Sequence, residues 1–192
     1  MKRLPVANVA LFACLAAAGA GLDLLTKWLA FTRIGEPTSR HVLWPGVFSF
    51  TTSYNEGALW GIGRNIPGSN FLFAALSVVA ALAILYWLFW RGGAQERTLS
   101  LALGLIMAGV IGNCYDRLVW GKVRDWIYVE RINLYFKVFD WPIFNIADSC
   151  LVCGAGVLVA HAAYSEWRMS RAAAPAVATS LDVEEQSPRT TI

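Results

Sequence analysis

Three pairs of polar residues stand at helical spacing in a chain with few charges. Asp23 and Lys27 are four apart, Asn113 and Arg117 are four apart, and Asn145 and Asp148 are three apart. Each pair therefore shares one helix face. Two further groups, Asn55 and Asp125, fall between the apolar runs. A lone carboxylate in an apolar run is costly, so Asp148 marks a functional site by default. Asp125 gains its interest from Asp148. Two carboxylates held close do not both ionise easily; one keeps a proton and the other stays charged. The charged one takes a proton from water while the neutral one hydrogen-bonds the carbonyl under attack. That is amide hydrolysis with no metal, no cofactor and no covalent intermediate.

Other hydrolytic chemistries find less support. There is no His-Glu-x-x-His motif, and His41 and His161 are expected on opposite sides of a membrane, so no zinc site is expected. Cys150 and Cys153 form a C-x-x-C with no second pair, and with Cys14 and Cys114 they read as small apolar packing residues. No Gly-x-Ser-x-Gly elbow and no Gly-rich phosphate loop occurs. Tyr115-Asp116 resembles the aspartate motif of presenilin-type proteases, but the Gly-x-Gly-Asp partner is missing.

Plainer readings stand beside the catalytic one. Asp23 and Lys27 fit a structural ion pair. Arg117 fits a neutraliser of Asp116 or a headgroup contact. Asn113 fits a helix–helix clamp, and Asn145 fits a helix cap.

The elements that must position these residues follow from composition. Of 192 residues, 57% are hydrophobic and only 15% charged, with nine Trp, and mean hydropathy is +0.49. A soluble domain carries about 25% charged residues, so an integral membrane protein is expected. Disorder over most of the chain is excluded. The net charge of +3 gives no reason to invoke nucleic acid. A spanning helix needs about 20 mostly apolar residues, and four stretches qualify, at about 6–29, 71–90, 98–115 and 142–164. Pro5 suits a first helical turn. Lys2-Arg3, the apolar run and Ala16-Ala17-Ala18-Gly19-Ala20 imitate a signal peptide. The pattern continues through Trp28 and Leu29, which favours an uncleaved helix.

Residues 32–69 and 116–141 are the two outer segments. Within the first, residues 41–51 are aromatic and β-branched around Pro45-Gly46 and read as a strand pair at the interface. The second is amphipathic and rich in Trp and Tyr. With a rise of about 1.5 Å per residue, Asp148 is expected roughly 9 Å inside Pro142. All the polar pairs then converge on one membrane face. Residues 1–168 form one membrane domain, and residues 169–192 read as a disordered cytosolic tail. Basic residues packed against the span ends place both termini in the cytoplasm, although the raw Lys/Arg count opposes that assignment.

Taken together, the residues resemble a known family, lipoprotein signal peptidase (signal peptidase II). The matching blocks occur in family order: Asp23-x-x-x-Lys27, Asn55-Glu56-Gly57-Ala58-Leu59-Trp60-Gly61, Gly112-Asn113-Cys114-Tyr115-Asp116-Arg117, Val123-Arg124-Asp125-Trp126 and Phe144-Asn145-Ile146-Ala147-Asp148-Ser149. Each is weak alone; five in order are specific, over about residues 4–165. The resemblance implies a four-helix membrane bundle with a small outer β-cradle and a flap over 126–141. It implies Asp125 and Asp148 as catalytic dyad. Asn55, Gly57, Ala58, Asn113, Arg117, Asn145 and Ala147 would shape the site or hold substrate, with Asp23 and Lys27 in support. Trp60 and Trp126 stand where Phe is common in the family, and residues 127–141 are long and charged for it. The implied partners are diacylglyceryl-modified prolipoproteins and membrane lipid, the implied location is the bacterial inner membrane, and a monomer is expected. Two rivals come from other classes. One is a four-helix transporter or ion-path subunit using Asp148 and Arg117; the other is an assembly protein without chemistry. The transporter requires polar residues across the whole membrane, yet span two has no charge at all, and Asn8 and His161 lie at the opposite ends of their spans from the polar pairs.

Overall fold

The computed structural model describes residues 4–57, 63, 66–130 and 141–185, with 172–185 described by backbone alone. Among the described residues, four helices are long and apolar enough to cross a membrane. They are α1 (Val6–Arg33), α2 (Ser69–Phe89), α3 (Arg97–Trp120) and α4 (Ile146–Glu185), whose apolar part is Ile146–Arg171. Strands β1 (Arg40–Trp44) and β2 (Phe48–Asn55) follow α1, and β3 (Val123–Val129) lies between α3 and α4. A short 3-10 turn, Gly93–Gln95, joins α2 to α3. The architecture is the expected helical membrane bundle with a small sheet at one end.

The three strands form one antiparallel sheet in the order β1-β2-β3. The Pro45-Gly46 hairpin expected in residues 41–51 is present, with Arg40 facing Thr51 and Trp44 facing Phe48. The third strand is the main departure from the sequence expectation, which left 116–141 as an outer segment. Its first part is the end of α3. That helix does not stop near residue 115, and the Asn113 side chain is hydrogen-bonded to neighbouring elements while the helix backbone continues through it. The helix ends at Gly121, whose left-handed φ of +69° lets its N–H return to the Arg117 carbonyl at 3.2 Å. The chain then enters β3, which pairs with β2. Residues 126–129 of the expected flap therefore belong to the sheet, and 131–140 lie outside the described residues.

The helix bounds shift for similar reasons. The last helix begins at Ile146 and not at Pro142, because Phe144 is paired with Ile127 of β3. Asp148 consequently lies in the first helical turn and not nearly two turns deep. At the other end the α4 backbone stays helical to Glu185, past the expected end near 164, through an Ala-rich stretch that includes Pro175.

α3 is the central helix, packed against α1, α2 and α4. Small residues permit this closeness, as is usual between helices in lipid. A Cβ on Gly104 would lie 3.0 Å from the Phe12 carbonyl of α1, and one on Gly154 of α4 would lie 2.8 Å from the Ala102 carbonyl of α3. An apolar core of Phe12, Ile84, Leu88, Leu103 and Met107 fills the half of the bundle away from the sheet. The sheet half is filled with charge.

Candidate active site

Three elements bring the two aspartates together. Asp125 is on β3, opposite Ser53 of β2, and Asn55 lies two residues on along β2. Trp126 and Ile127 N–H donate to the Phe144 carbonyl at 3.1 and 2.9 Å, and Phe144 N–H donates back to the Ile127 carbonyl at 3.0 Å. This clasp ties β3 to the start of α4. Asn145 follows at once, beside Asp125.

Asn145 is both a cap and a bridge. Its Oδ1 accepts the Asp148 N–H at 2.8 Å, and Asp148 Oδ2 accepts the Asn145 N–H at 3.1 Å. That is a reciprocal capping box. The remaining Nδ2 donates to Asp125 Oδ1 at 2.6 Å and to Asn113 Oδ1 at 3.1 Å. The cap reading of Asn145 is therefore correct, and the same amide touches both carboxyl-bearing residues. Asn113 is likewise a helix–helix clamp, and its Nδ2 also donates to Asp148 Oδ1 at 2.8 Å.

Beneath the pair lies a buried ionic cluster. Lys27 Nζ lies 2.7 Å from Asp23 Oδ2, 3.2 Å from Asp116 Oδ2 and 2.9 Å from Asn113 Oδ1. Asp116 also accepts Arg124 Nη2 at 2.7 Å, Nε at 3.2 Å and the Arg124 N–H at 2.9 Å. Asp23 and Lys27 do form an ion pair, but not a simple one. Asp23 Oδ1 accepts the Ala147 N–H at 2.8 Å, holding the first turn of α4 against α1. Gly112 makes room for this: a Cβ there would sit 2.5 Å from Asp23 Oδ2 and 3.1 Å from the Ala147 Cβ. Asp23, Lys27, Asp116 and Asn145 have no exposed surface.

Arg117 does not neutralise Asp116, which is taken by Arg124 and Lys27. Its guanidinium donates to the Gly57 carbonyl at 3.2 Å and to the Asn113 carbonyl at 3.4 Å, and lies over the Phe73 ring. It is close enough to feel both Asp125 and Asp148. Gly57 N–H donates to Asn55 Oδ1 at 3.0 Å, while the Asn55 side chain also hydrogen-bonds Asp125. Ala58 lies outside the described residues. Burial first, then the charge of Asp148, holds Asp125 well above the ordinary carboxylate range, against the pull of Lys27 and the amides of Asn145 and Asn55. Among the described residues, no group of three or more His, Cys, Asp or Glu is placed to hold a metal ion.

The sequence reading missed Asp116, Arg124 and Gly112 as site-building residues. All three stand inside the quoted motif blocks, next to Arg117, Asp125 and Asn113, so the signal was adjacency to residues already singled out.

Comparison with known proteins gives the family. A family profile described as signal peptidase (SPase) II matches residues 15–164. The chain belongs to the signal peptidase II family. Lipoprotein signal peptidase of Rhodopirellula baltica is 43% identical over 168 residues, covering 81% of this chain and 72% of the relative. That of Symbiobacterium thermophilum is 35% identical over 140 residues, covering 73% and 86%. Two solved structures, each described as a bacterial membrane enzyme, share the fold. One has a TM-score of 0.67 at 27% identity, covering 78% of this chain and 90% of the other; the second has 0.66 at 23%, covering 94% of each. Signal peptidase II is a bacterial membrane aspartic peptidase that cleaves signal peptides from prolipoproteins, and this chain is an enzyme of that kind. The transporter reading is not supported.

Proposed function

We propose that Asp125 and Asp148 are the catalytic dyad of this signal peptidase II. The carrying observation is that Asn145 bridges the pair: its side-chain Nδ2 donates to Asp125 Oδ1 at 2.6 Å and its backbone N–H donates to Asp148 Oδ2 at 3.1 Å. Charge balance supports the same reading. Lys27, Arg117 and Arg124 face four carboxyl groups, Asp23, Asp116, Asp125 and Asp148. A single proton on the pair makes the cluster neutral, which is the state aspartic hydrolysis requires. One carboxylate takes a proton from water, and the neutral partner stabilises the oxygen of the scissile carbonyl.

In this reading the substrate is a diacylglyceryl-modified prolipoprotein, cut just before the lipidated Cys. Asn55, Gly57 and Arg117 line its path, and the lipid chains lie between helices. The enzyme sits as a monomer in the inner membrane, termini in the cytoplasm, with the sheet and site at the outer face. The Trp and Tyr residues of the sheet segments favour the headgroup level, and the even number of candidate spans among the described residues supports both ends on one side. The test uses purified enzyme with a lipidated precursor and, in parallel, its unlipidated form. Cleavage of the lipidated form alone is expected. Asp125→Asn and Asp148→Asn each reduce that cleavage by about 100-fold or more; normal processing by either variant sinks the dyad.

A further inference from the structure

Lys27 is buried, and its ammonium contacts Asp23, Asn113 and Asp116 at 2.7, 2.9 and 3.2 Å. An ammonium has three donors and no acceptor, so each direction is used. It can meet Asn113 only at the amide oxygen. A second donor, Asn145 Nδ2, comes to that same oxygen at 3.1 Å. The Asn113 amide is thereby oriented, and its Nδ2 donates to Asp148 Oδ1 at 2.8 Å. The flipped amide would set N–H groups against an ammonium and a carbonyl against a carboxyl group. A charge on α1 thus decides which atom Asp148 meets on α3.

The two aspartates are not equivalent. Asp148 receives the Asn113 amide and the Asn145 N–H in the first turn of α4, where the helix dipole favours negative charge. Asp125 sits on a strand and, among the described residues, takes side-chain donors from Asn145 and Asn55. We propose that Lys27 is a positioning residue for hydrolysis, locking the Asn113 amide and through it holding Asp148 as the ionised, proton-accepting member of the pair while Asp125 carries the proton. This rests on the dyad assignment above. Water then gives a proton to Asp148 as its oxygen bonds to the scissile carbon, and Asp125 gives its proton to the carbonyl oxygen. On collapse the C–N bond breaks, the leaving nitrogen takes the proton from Asp148, and the hydroxyl returns one to Asp125. The other groups facing this relay are Asp23 on α1, Cys114, Asp116 and Arg117 on α3, Tyr54 on β2, Arg124 on β3 and Cys150 on α4. α2 contributes no charge.

The test is the pH profile of kcat with a synthetic diacylglyceryl-modified precursor peptide. The double variant Lys27→Met with Asp23→Asn removes the pair together and keeps an oxygen for the Ala147 N–H. Its kcat is expected to fall about 100-fold with KM within about twofold, and the acid limb to move up by about one pH unit as Asp148 loses an oriented donor. If that variant does not fold, Asn113→Ala carries the same expectation with the Lys27 ion pairs intact. Asn55→Ala, which removes a donor from Asp125, is expected to move the alkaline limb alone. A folded relay variant whose kcat falls with an unmoved acid limb overturns the positioning role. An acid limb moved by Asn55→Ala overturns the choice of Asp148 as base. Cleavage retained by Asp125→Asn or Asp148→Asn instead overturns the dyad itself, a separate result.

Discussion

α2 and the sheet-side end of α3 are both helical and both within the bundle, yet their chemistry is opposite. α2 carries no charge and turns Phe71, Leu72, Leu76, Val79 and Leu82 outward. The end of α3 carries Asn113, Asp116 and Arg117, and buries the first two. In water this distribution would be inside out. In lipid the outward apolar side chains already have an apolar solvent, and the polar ones must find partners within the protein. The difference shows where the stability of this fold is held. On the outer face of α2 the side chains are interchangeable with lipid. Around α3 each charge is fixed by named partners, and those contacts also set the geometry of the dyad.

The comparison is tested most severely at Asp116. Asp116→Ala leaves Lys27 short of one acceptor and removes the carboxylate that holds the Arg124 guanidinium and backbone N–H. Breaking a buried ion pair on one side costs about 3–5 kcal/mol. Unfolding of the detergent-solubilised enzyme by SDS titration is expected to show that loss, together with loss of cleavage as β3 and Asp125 drift from α4. A variant of wild-type stability would mean that the cluster does not hold the sheet to the bundle.

A smaller effect is expected at Gly112. Its absent side chain leaves space for Asp23 to reach the Ala147 N–H, and a Cβ would fall 2.5 Å from the carboxylate oxygen. Gly112→Ala is expected to cost about 1–3 kcal/mol by overpacking and to reduce cleavage by displacing the first turn of α4. Gly21→Ala on α1, where a Cβ would meet nothing within 4 Å, is the control that should do neither.

Much of this was legible in the sequence, for one physical reason. Helical spacing is rigid, so Asp23 with Lys27, Asn113 with Arg117, and Asn145 with Asp148 had to share faces, and apolar length marked the four spans. What was not legible depends on contacts between elements. Residues 123–125 are all buried in succession, because β3 is covered by the sheet edge-on and by the bundle, and no alternation announces a strand. The Asp116–Arg124 clamp crosses the turn at Gly121, a separation with no period to read. The amide orientation of Asn113 depends on Lys27, eighty-six positions away.

The least effect is expected on the lipid side, and it tests the comparison from below. Leu76 is 52% exposed on α2, whereas Leu88 on the same helix is fully buried in the core. Leu88→Ala opens a cavity and is expected to cost about 2–5 kcal/mol. Leu76→Ala exchanges contact with lipid tails for contact with more lipid, and lipid is as apolar as leucine. Its cost is expected to stay within about 0.5 kcal/mol, with unchanged cleavage, in the same SDS titration. Were Leu76→Ala to cost as much as Leu88→Ala, the outer face of α2 would be packed against protein, and the division between a lipid-facing α2 and a partner-bound α3 would fail.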